Sequence, residues 1–289
     1  MGIFSLFSQS STLYFPGCVT YFKFNENFEL YKKIFNKLGI NFKTINKKIC
    51  CGISAYELGY EQLTRKLARR NFEIFKEEGV KSILTNSPEA YKMFLEQYPE
   101  MLPDWNIQIK NLWEIILEKL TIKARLIRHK AMEVVTYHDS CALGRGCGIY
   151  EEPRKILELI GYEIRELPDS KIESICCGSC GGLPLTNLEL ANKIARERIL
   201  QAKRVGVKKI IVASMDNYQL LKNNEFDGIE ILELSEVLGL ALGINKKEPE
   251  FKEEKITAEE QLIRDIEADK KIQNEIKEEG IMEVKDWNR

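Results

Sequence analysis

Apolar residues along this chain fall into short blocks separated by longer amphipathic stretches, the rhythm of strands alternating with helices. Thr12 to Phe15 reads as a strand, broken by a turn at Pro16-Gly17 and followed at once by Cys18. Glu29 to Leu38 reads as a helix closed by Gly39, and Ile40 to Ile45 as a short strand leading into Cys50-Cys51-Gly52. Glu61 to Glu78 is a strongly helical run ending at Gly79; Val80 to Thr85 is a strand, and a helix starts at Pro88. This order of strands and helices predicts α/β layers around a mainly parallel sheet.

The pattern then recurs. Val134-Val135-Thr136-Tyr137 before Cys141 echoes Thr12 to Cys18, and Pro153 to Gly161 echoes Tyr31 to Gly39. Cys176-Cys177-Gly178 echoes Cys50-Cys51-Gly52, and Ile194-Ala195-Arg196 onward to Ile211 echoes Leu67-Ala68-Arg69 onward to Leu84. The copies are offset by 123 positions at Cys18 and Cys141 and by 126 at Cys50 and Cys176. The expected fold is α/β, with two tandem pseudo-repeated Rossmann-like units carrying Cys-rich loops, residues 1–128 and 129–244, joined near Thr121 to Ala131. A third segment, 245–289, is dense in Lys and Glu. Its sparse apolar residues, Leu262, Ile263, Ile266, Ile272 and Ile276, partly follow helical spacing, so a helix from about Thr257 to Glu278 is expected, either as a solvated tail or as an arm that docks on a partner.

Composition narrows the class. The chain has 289 residues, 44% hydrophobic and 30% charged, and a formal net charge of −1, which favours neither nucleic acid nor an anionic membrane as partner. No apolar run reaches the roughly 18 residues of a spanning helix, and Met1 to Phe7 lacks the basic region of a signal peptide, so a cytoplasmic protein without direct membrane insertion is expected. In that setting eight clustered cysteines point to metal or redox chemistry rather than a disulfide framework. Three of them, Cys176, Cys177 and Cys180, sit within five positions on a glycine-rich loop, as thiolates gathered around a bulky group would.

Cys18 followed after 31 residues by Cys50-Cys51, and Cys141 followed after 34 residues by Cys176-Cys177, resembles the cysteine-rich CCG domain. That domain occurs in the B subunit of heterodisulfide reductase and in iron–sulfur subunits of glycolate, lactate and glycerol-3-phosphate oxidoreductases. The context Tyr137-His138-Asp139-Ser140-Cys141-Ala142-Leu143-Gly144-Arg145 also looks like the family's, and the resemblance covers about residues 12 to 242. It departs at the family's later Cys-x-x-Cys, where this chain has Ser87-Pro88-Glu89-Ala90 and Ser214-Met215-Asp216-Asn217.

The resemblance implies an iron–sulfur cluster of the [4Fe-4S] kind, cubane or noncubane, in the second repeat on Cys141, Cys147, Cys176, Cys177 and Cys180. In the first repeat Cys18, Cys50 and Cys51 are left as candidate metal ligands, for a second cluster, for zinc with a fourth ligand, or for nothing. His138 is expected to be structural, with a hydrogen bond to the cluster as the alternative. Arg145 and Arg154 either offset cluster charge or make surface ion pairs. The chain lacks a ferredoxin-type Cys run and a Gly-x-Gly-x-x-Gly loop. By resemblance it would be an oxidoreductase component similar to the heterodisulfide reductase B subunit, inactive alone. It would take electrons from a ferredoxin-like iron–sulfur subunit and a flavoprotein, and act on a thiol, disulfide or sulfur substrate. The alternatives are an iron–sulfur subunit of a glycolate- or lactate-type oxidase and a non-catalytic scaffold with a degenerate metal site.

Overall fold

The computed structural model describes residues 10–45 and 49–244. The expected tail helix and the N-terminal stretch Met1 to Phe7 lie outside the described residues. The first half runs β1 (Thr12–Phe15), α1 (Cys18–Lys23), α2 (Asn25–Leu38), α3 (Ile53–Glu57), α4 (Glu61–Glu77), β2 (Ser82–Thr85), α5 (Pro88–Lys92), a π-helical turn, α6 (Tyr98–Met101), β3 (Gln108–Asn111) and α7 (Leu112–Ile122). The second runs β4 (Glu133–Tyr137), α8 (Gly144–Cys147), α9 (Glu151–Leu159), β5 (Tyr162–Ile164), α10 (Leu183–Thr186), α11 (Leu188–Arg204), β6 (Lys209–Val212), α12 (Met215–Asn223), β7 (Glu230–Glu233) and α13 (Leu234–Ala241).

Both sheets are parallel. The second has the order β5-β4-β6-β7. The first has the order β1-β2-β3, and Lys43 forms a parallel bridge to Leu13 on the free side of β1. The repeat is therefore real in three dimensions: Lys43, β1, β2 and β3 stand where β5, β4, β6 and β7 stand. The strand expected over Ile40 to Ile45 has shrunk to that one bridge, held by Tyr14 N–H to Lys43 O and Lys43 N–H to Thr12 O, both 2.8 Å. Sequence periodicity missed β3 and β7, because Gln-Ile-Lys-Asn and Glu-Ile-Leu-Glu are short, half-polar edge strands.

One core joins the halves. α2 presents Phe28, Tyr31, Ile34, Phe35 and Leu38 on a single face, and these pack in one buried cluster with Trp113, Ile116 and Leu120 of α7, Ile156 and Leu157 of α9, and Val237 and Leu238 of α13. Full burial of each aliphatic or aromatic side chain contributes about 1.5–3 kcal/mol. α2 packs on α13 and α7 packs on α9, so equivalent helices of each repeat cross to the other. At one crossing a methyl group has no room: a Cβ on Gly239 would lie 2.8 Å from Leu30 Cδ1. The outer face of each sheet has its own cluster, built on Ala68, Phe72 and Phe75 of α4 in the first half and on Ala191, Ala195 and Ile199 of α11 in the second. Among the described residues no helix is long and apolar enough to cross a membrane.

Candidate metal centre

In an open parallel sheet the crevice for a ligand lies beyond the carboxyl ends of the strands, where the chain turns to opposite sides of a central strand. Here the central strands are β4 and β1. Cys141 follows β4, the Cys176–Cys180 loop follows β5, and Ser214–Asn217 opens α12 after β6. Cys18, Cys50-Cys51 and Ser87–Ala90 occupy the corresponding places in the first half.

The second half gathers three thiols. Cys141 Sγ lies 3.7 Å from Cys176 Sγ and 3.3 Å from Cys180 Sγ, and the three sulfurs lie within 4.8 Å of one another. The loop turns through Gly178 at φ 93°, a left-handed conformation in which a Cβ would also press to 3.0 Å of Ala191 O. Hydrogen bonding to Cys141 and Cys180, helped by the Gly178 N–H at 3.3 Å, lowers the Cys176 thiol, while Cys141 is pushed up to about 11 chiefly by its hydrogen bond to Cys176. Cys177 points elsewhere. It is fully buried, and its sulfur accepts from Asn217 Nδ2 at 3.2 Å and donates to Ser179 Oγ at 3.5 Å. Burial pushes its thiol up to about 12.

A buried polar frame holds these loops. Arg154 forks onto Asp139 with two 2.7 Å bonds and onto Glu166 at 2.6 and 2.9 Å, and it lies over the Tyr137 ring. Asp139 in turn accepts the Lys171 N–H, and its carbonyl accepts Ser174 Oγ–H at 3.1 Å. Arg154 is thus neither a surface ion pair nor a direct partner of the thiols; it fixes the turn that carries Cys141. Arg145 donates to the carbonyls of Ile172 and Ser174, and its charge lowers the Cys141 thiol. His138 is fully buried with Arg198 against its Nδ1.

The first half is assembled differently. Cys18 and Cys50 share a proton, which raises Cys18 and brings Cys50 down to about 6; Cys51 is buried and its thiol is raised by that burial. Asn71 Nδ2 donates to Cys50 O at 2.7 Å and to Tyr98 Oη, and Tyr98 donates to Cys51 O at 3.1 Å. Those bonds hold the loop backbone, not its sulfurs.

Cys147 does not join the second-half group. Its sulfur donates to Pro88 O, 3.5 Å away on α5 of the first half, and burial pushes it up to about 12, with Glu89 adding to the rise. Glu89 and Asp216 occupy matching places in the two vacated Cys-x-x-Cys sites. Burial pushes Glu89 up to about 8, with Asp216 the next cause, and burial raises Asp216 to about 6. Glu89 acts on Cys51, Cys147 and Cys180, and Asp216 on Cys18 and Cys51, so this acidic pair shares its field with the thiols of both halves. Sequence reasoning missed Asn217 as a thiol partner, although it stands where the family's last cysteine does; it missed Arg198, Asn71 and Tyr98 because nothing local marks them.

The donor set fits a thiophilic metal or cluster. Three convergent sulfurs are soft ligands of the kind that hold zinc or iron–sulfur clusters. Buried polar atoms without a hydrogen-bond partner among the described residues include His138 Nε2, Ser214 Oγ, Asn217 Oδ1 and Glu89 Oε1, all from the segments that carry the thiols or the vacated ligand positions. Buried polar groups are normally paired, so such a concentration marks a site made for something more than protein.

Fold and site together define a tandem α/β protein that displays thiols at the switch points of two equivalent sheets. The cysteine-rich (CCG) domain matches residues 12–94 and 135–216, and the chain belongs to that family. The chain is 36% identical over 216 residues to the EtfAB:quinone oxidoreductase of Syntrophomonas wolfei, covering 73% of this chain and 29% of that protein. It is 30% identical over 233 residues to the Bacillus subtilis protein named "Probable iron-sulfur-binding oxidoreductase FadF", covering 75% and 32%. The D subunit of the dihydromethanophenazine:CoB–CoM heterodisulfide reductase of Methanosarcina acetivorans is 27% identical over 251 residues, covering 82% and 60%. The chain therefore spans about a third of the length of the first two and 60% of the third. A crystal structure of a hypothetical protein from Helicobacter pylori shares the fold, with a TM-score of 0.60 at 15% identity over 81% of this chain and 49% of that one.

Proposed function

We propose that the chain is an iron–sulfur subunit of a multisubunit oxidoreductase, with its cluster in the repeat 129–244 and a second, different site in the repeat 1–128. The observation that carries this reading is the convergence of Cys141, Cys176 and Cys180 from two separate loops. These three would hold the cluster; Cys177 is turned to Asn217 and Ser179, and Cys147 to Pro88 of the other half. A bound cluster supplies one-electron storage and a Lewis-acidic iron face. The protein's part is to supply the sulfur ligands, to lower the Cys176 thiol and to place the site beside Asn217, His138 and Arg198. Relatives that carry iron–sulfur oxidoreductase and heterodisulfide reductase names support a heterodisulfide reductase-like role, and a thiol, disulfide or sulfur substrate is the substrate class proposed with it. A ferredoxin-like subunit and a flavoprotein would supply the electrons. The glycolate- or lactate-type oxidase subunit remains the rival of the same class.

A zinc-bearing scaffold is the second reading, and the sulfur spacing favours it. Thiolates about 2.3 Å from one tetrahedral ion stand about 3.8 Å apart, close to the 3.7 Å between Cys141 and Cys176 but longer than the 3.3 Å between Cys141 and Cys180. Metal and sulfide analysis of anaerobically purified protein separates the two. About four irons with matching sulfide per chain, and a paramagnetic signal on reduction or thiol addition, support the redox subunit. Zinc without iron or sulfide rejects it.

A further inference from the structure

His138 and Arg198 form a unit that the thiols alone do not call for. Arg198, on α11 and 1% exposed, donates from Nε to His138 Nδ1 at 3.1 Å. It is held in place by Ser174 Oγ at 3.1 Å, Pro168 O at 3.2 Å and Gln201 Oε1 at 2.6 Å. The His138 backbone is pinned by its N–H to Ile211 O at 2.9 Å. A guanidinium has only donors, so Nδ1 must be an unprotonated acceptor and the ring's single proton must sit on Nε2. That N–H is buried with no partner among the described residues, a vacancy that costs about 1–3 kcal/mol if left unfilled.

We infer that Arg198 is a positioning residue that locks His138 as its Nε2–H tautomer, and that this N–H, which bonds none of the three thiols themselves, is a donor held for a sulfur of the cluster that the Cys141–Cys176–Cys180 group binds. The surroundings agree. Of the acidic groups acting on the ring, Cys176 acts most strongly, ahead of the neighbouring Asp139. Burial, then the Arg198 charge, keep the imidazole neutral, down to about 3, so it serves as a fixed dipole rather than a cation. At the equivalent places the first half has Phe15, edge-on to Phe94 at 5.0 Å, and Asn71, bound to the loop carbonyl, so no such donor exists there. A donor to a metal-bound sulfur stabilises the more negative, reduced state. The tautomer stands without any cluster; its effect on a potential rests on the reading above.

The test has two arms. In the metal-free, 15N-labelled chain, the His138 ring nitrogens should show an unprotonated Nδ1 and a protonated Nε2 from pH 6 to 8. Arg198→Met should mix the tautomers, and Arg198→Lys should restore the original pattern. A protonated Nδ1 or an imidazolium in the unaltered protein overturns the inference, and this measurement needs no variant to fold. In the cluster-loaded chain, His138→Phe should shift the redox equilibrium toward the oxidised state about tenfold, a fall of about 59 mV for one electron. His138→Gln, which keeps an N–H near the Nε2 position, should recover most of that fall. An unchanged potential in His138→Phe overturns the hydrogen bond to sulfur. Failure to take up iron at all, with the tautomer intact, rejects the cluster reading and leaves the His138–Arg198 unit standing.

Discussion

The two halves share strand order, loop placement and a Cys-Cys-Gly turn, yet they treat their sulfurs in opposite ways. In the second half polar side chains reach the thiols and the turns around them: Asn217 bonds Cys177, Arg145 acts on Cys141, and Asp139 is clamped by Arg154. In the first half the corresponding strand end is apolar, and Asn71 and Tyr98 bind loop carbonyls instead. Among the described residues three sulfurs converge only in the second. A duplicated scaffold can therefore keep its geometry while its sites diverge, because strand order is set by core packing and thiol chemistry by a few buried polar residues outside the repeat's hydrophobic pattern.

The largest break in that comparison should come from the ligands themselves. Cys176→Ser should remove the second-half metal almost entirely, while Cys18→Ser leaves it in place; iron and zinc counts per chain measure both. Loss of all metal from Cys18→Ser would show that the halves form one site.

Arg154 and Lys32 occupy equivalent helix positions and should differ next most. Arg154→Met strands the buried Asp139, whose side chain is 1% exposed, and should cost about 3–5 kcal/mol. Lys32 pairs with the half-exposed Glu29 and lies over Phe28, so Lys32→Met should cost less than about 1 kcal/mol. Denaturant midpoints of the two variants test this.

The smallest contrast lies at the caps of α7 and α13. Glu233 is fully buried, accepts from Tyr31 Oη at 2.6 Å and Ser235 N at 2.7 Å, and burial raises its carboxyl from 4.5 to about 7. Since the folded state holds this proton more tightly than the unfolded one, the cost of ionising it appears as pH climbs from 4.5 to 7 and is constant above. Glu233→Gln has one oxygen acceptor where the carboxylate uses two, Oε1 for Tyr31 and Oε2 for Ser235, so it loses one of these bonds at every pH; without a group to ionise, its stability relative to the unaltered protein should still improve across that window, by up to about 3 kcal/mol. Asn111, the matching cap, accepts from Trp113 N and Glu114 N, and Asn111→Ala should cost about 1 kcal/mol with no pH dependence. Thermal melts at pH 5 and pH 8 distinguish the two.

Periodicity and repetition carried much of the fold. The apolar faces of α2, α4 and α11 and the blocks of β1, β2, β4 and β6 were legible because burial on one face writes a period into the chain. The Cys-Cys-Gly turns were legible because thiols beside glycine are chemically unusual. The edge strands β3 and β7 were not, being too short and too polar to carry a period.

What the amino-acid order determined alone was two α/β units and the loops that bear their thiols. Tertiary structure alone decided which thiols meet. Cys147, six positions past Cys141, faces Pro88 of the other half, whereas Cys180, 39 positions away, lies 3.3 Å from Cys141. It also decided that Arg198, 60 positions from His138, orients that ring. Local pattern records which face of an element is buried, but which side chains share a crevice depends on how strands are ordered in the sheet, and hydrogen bonds between distant segments leave no period in the sequence.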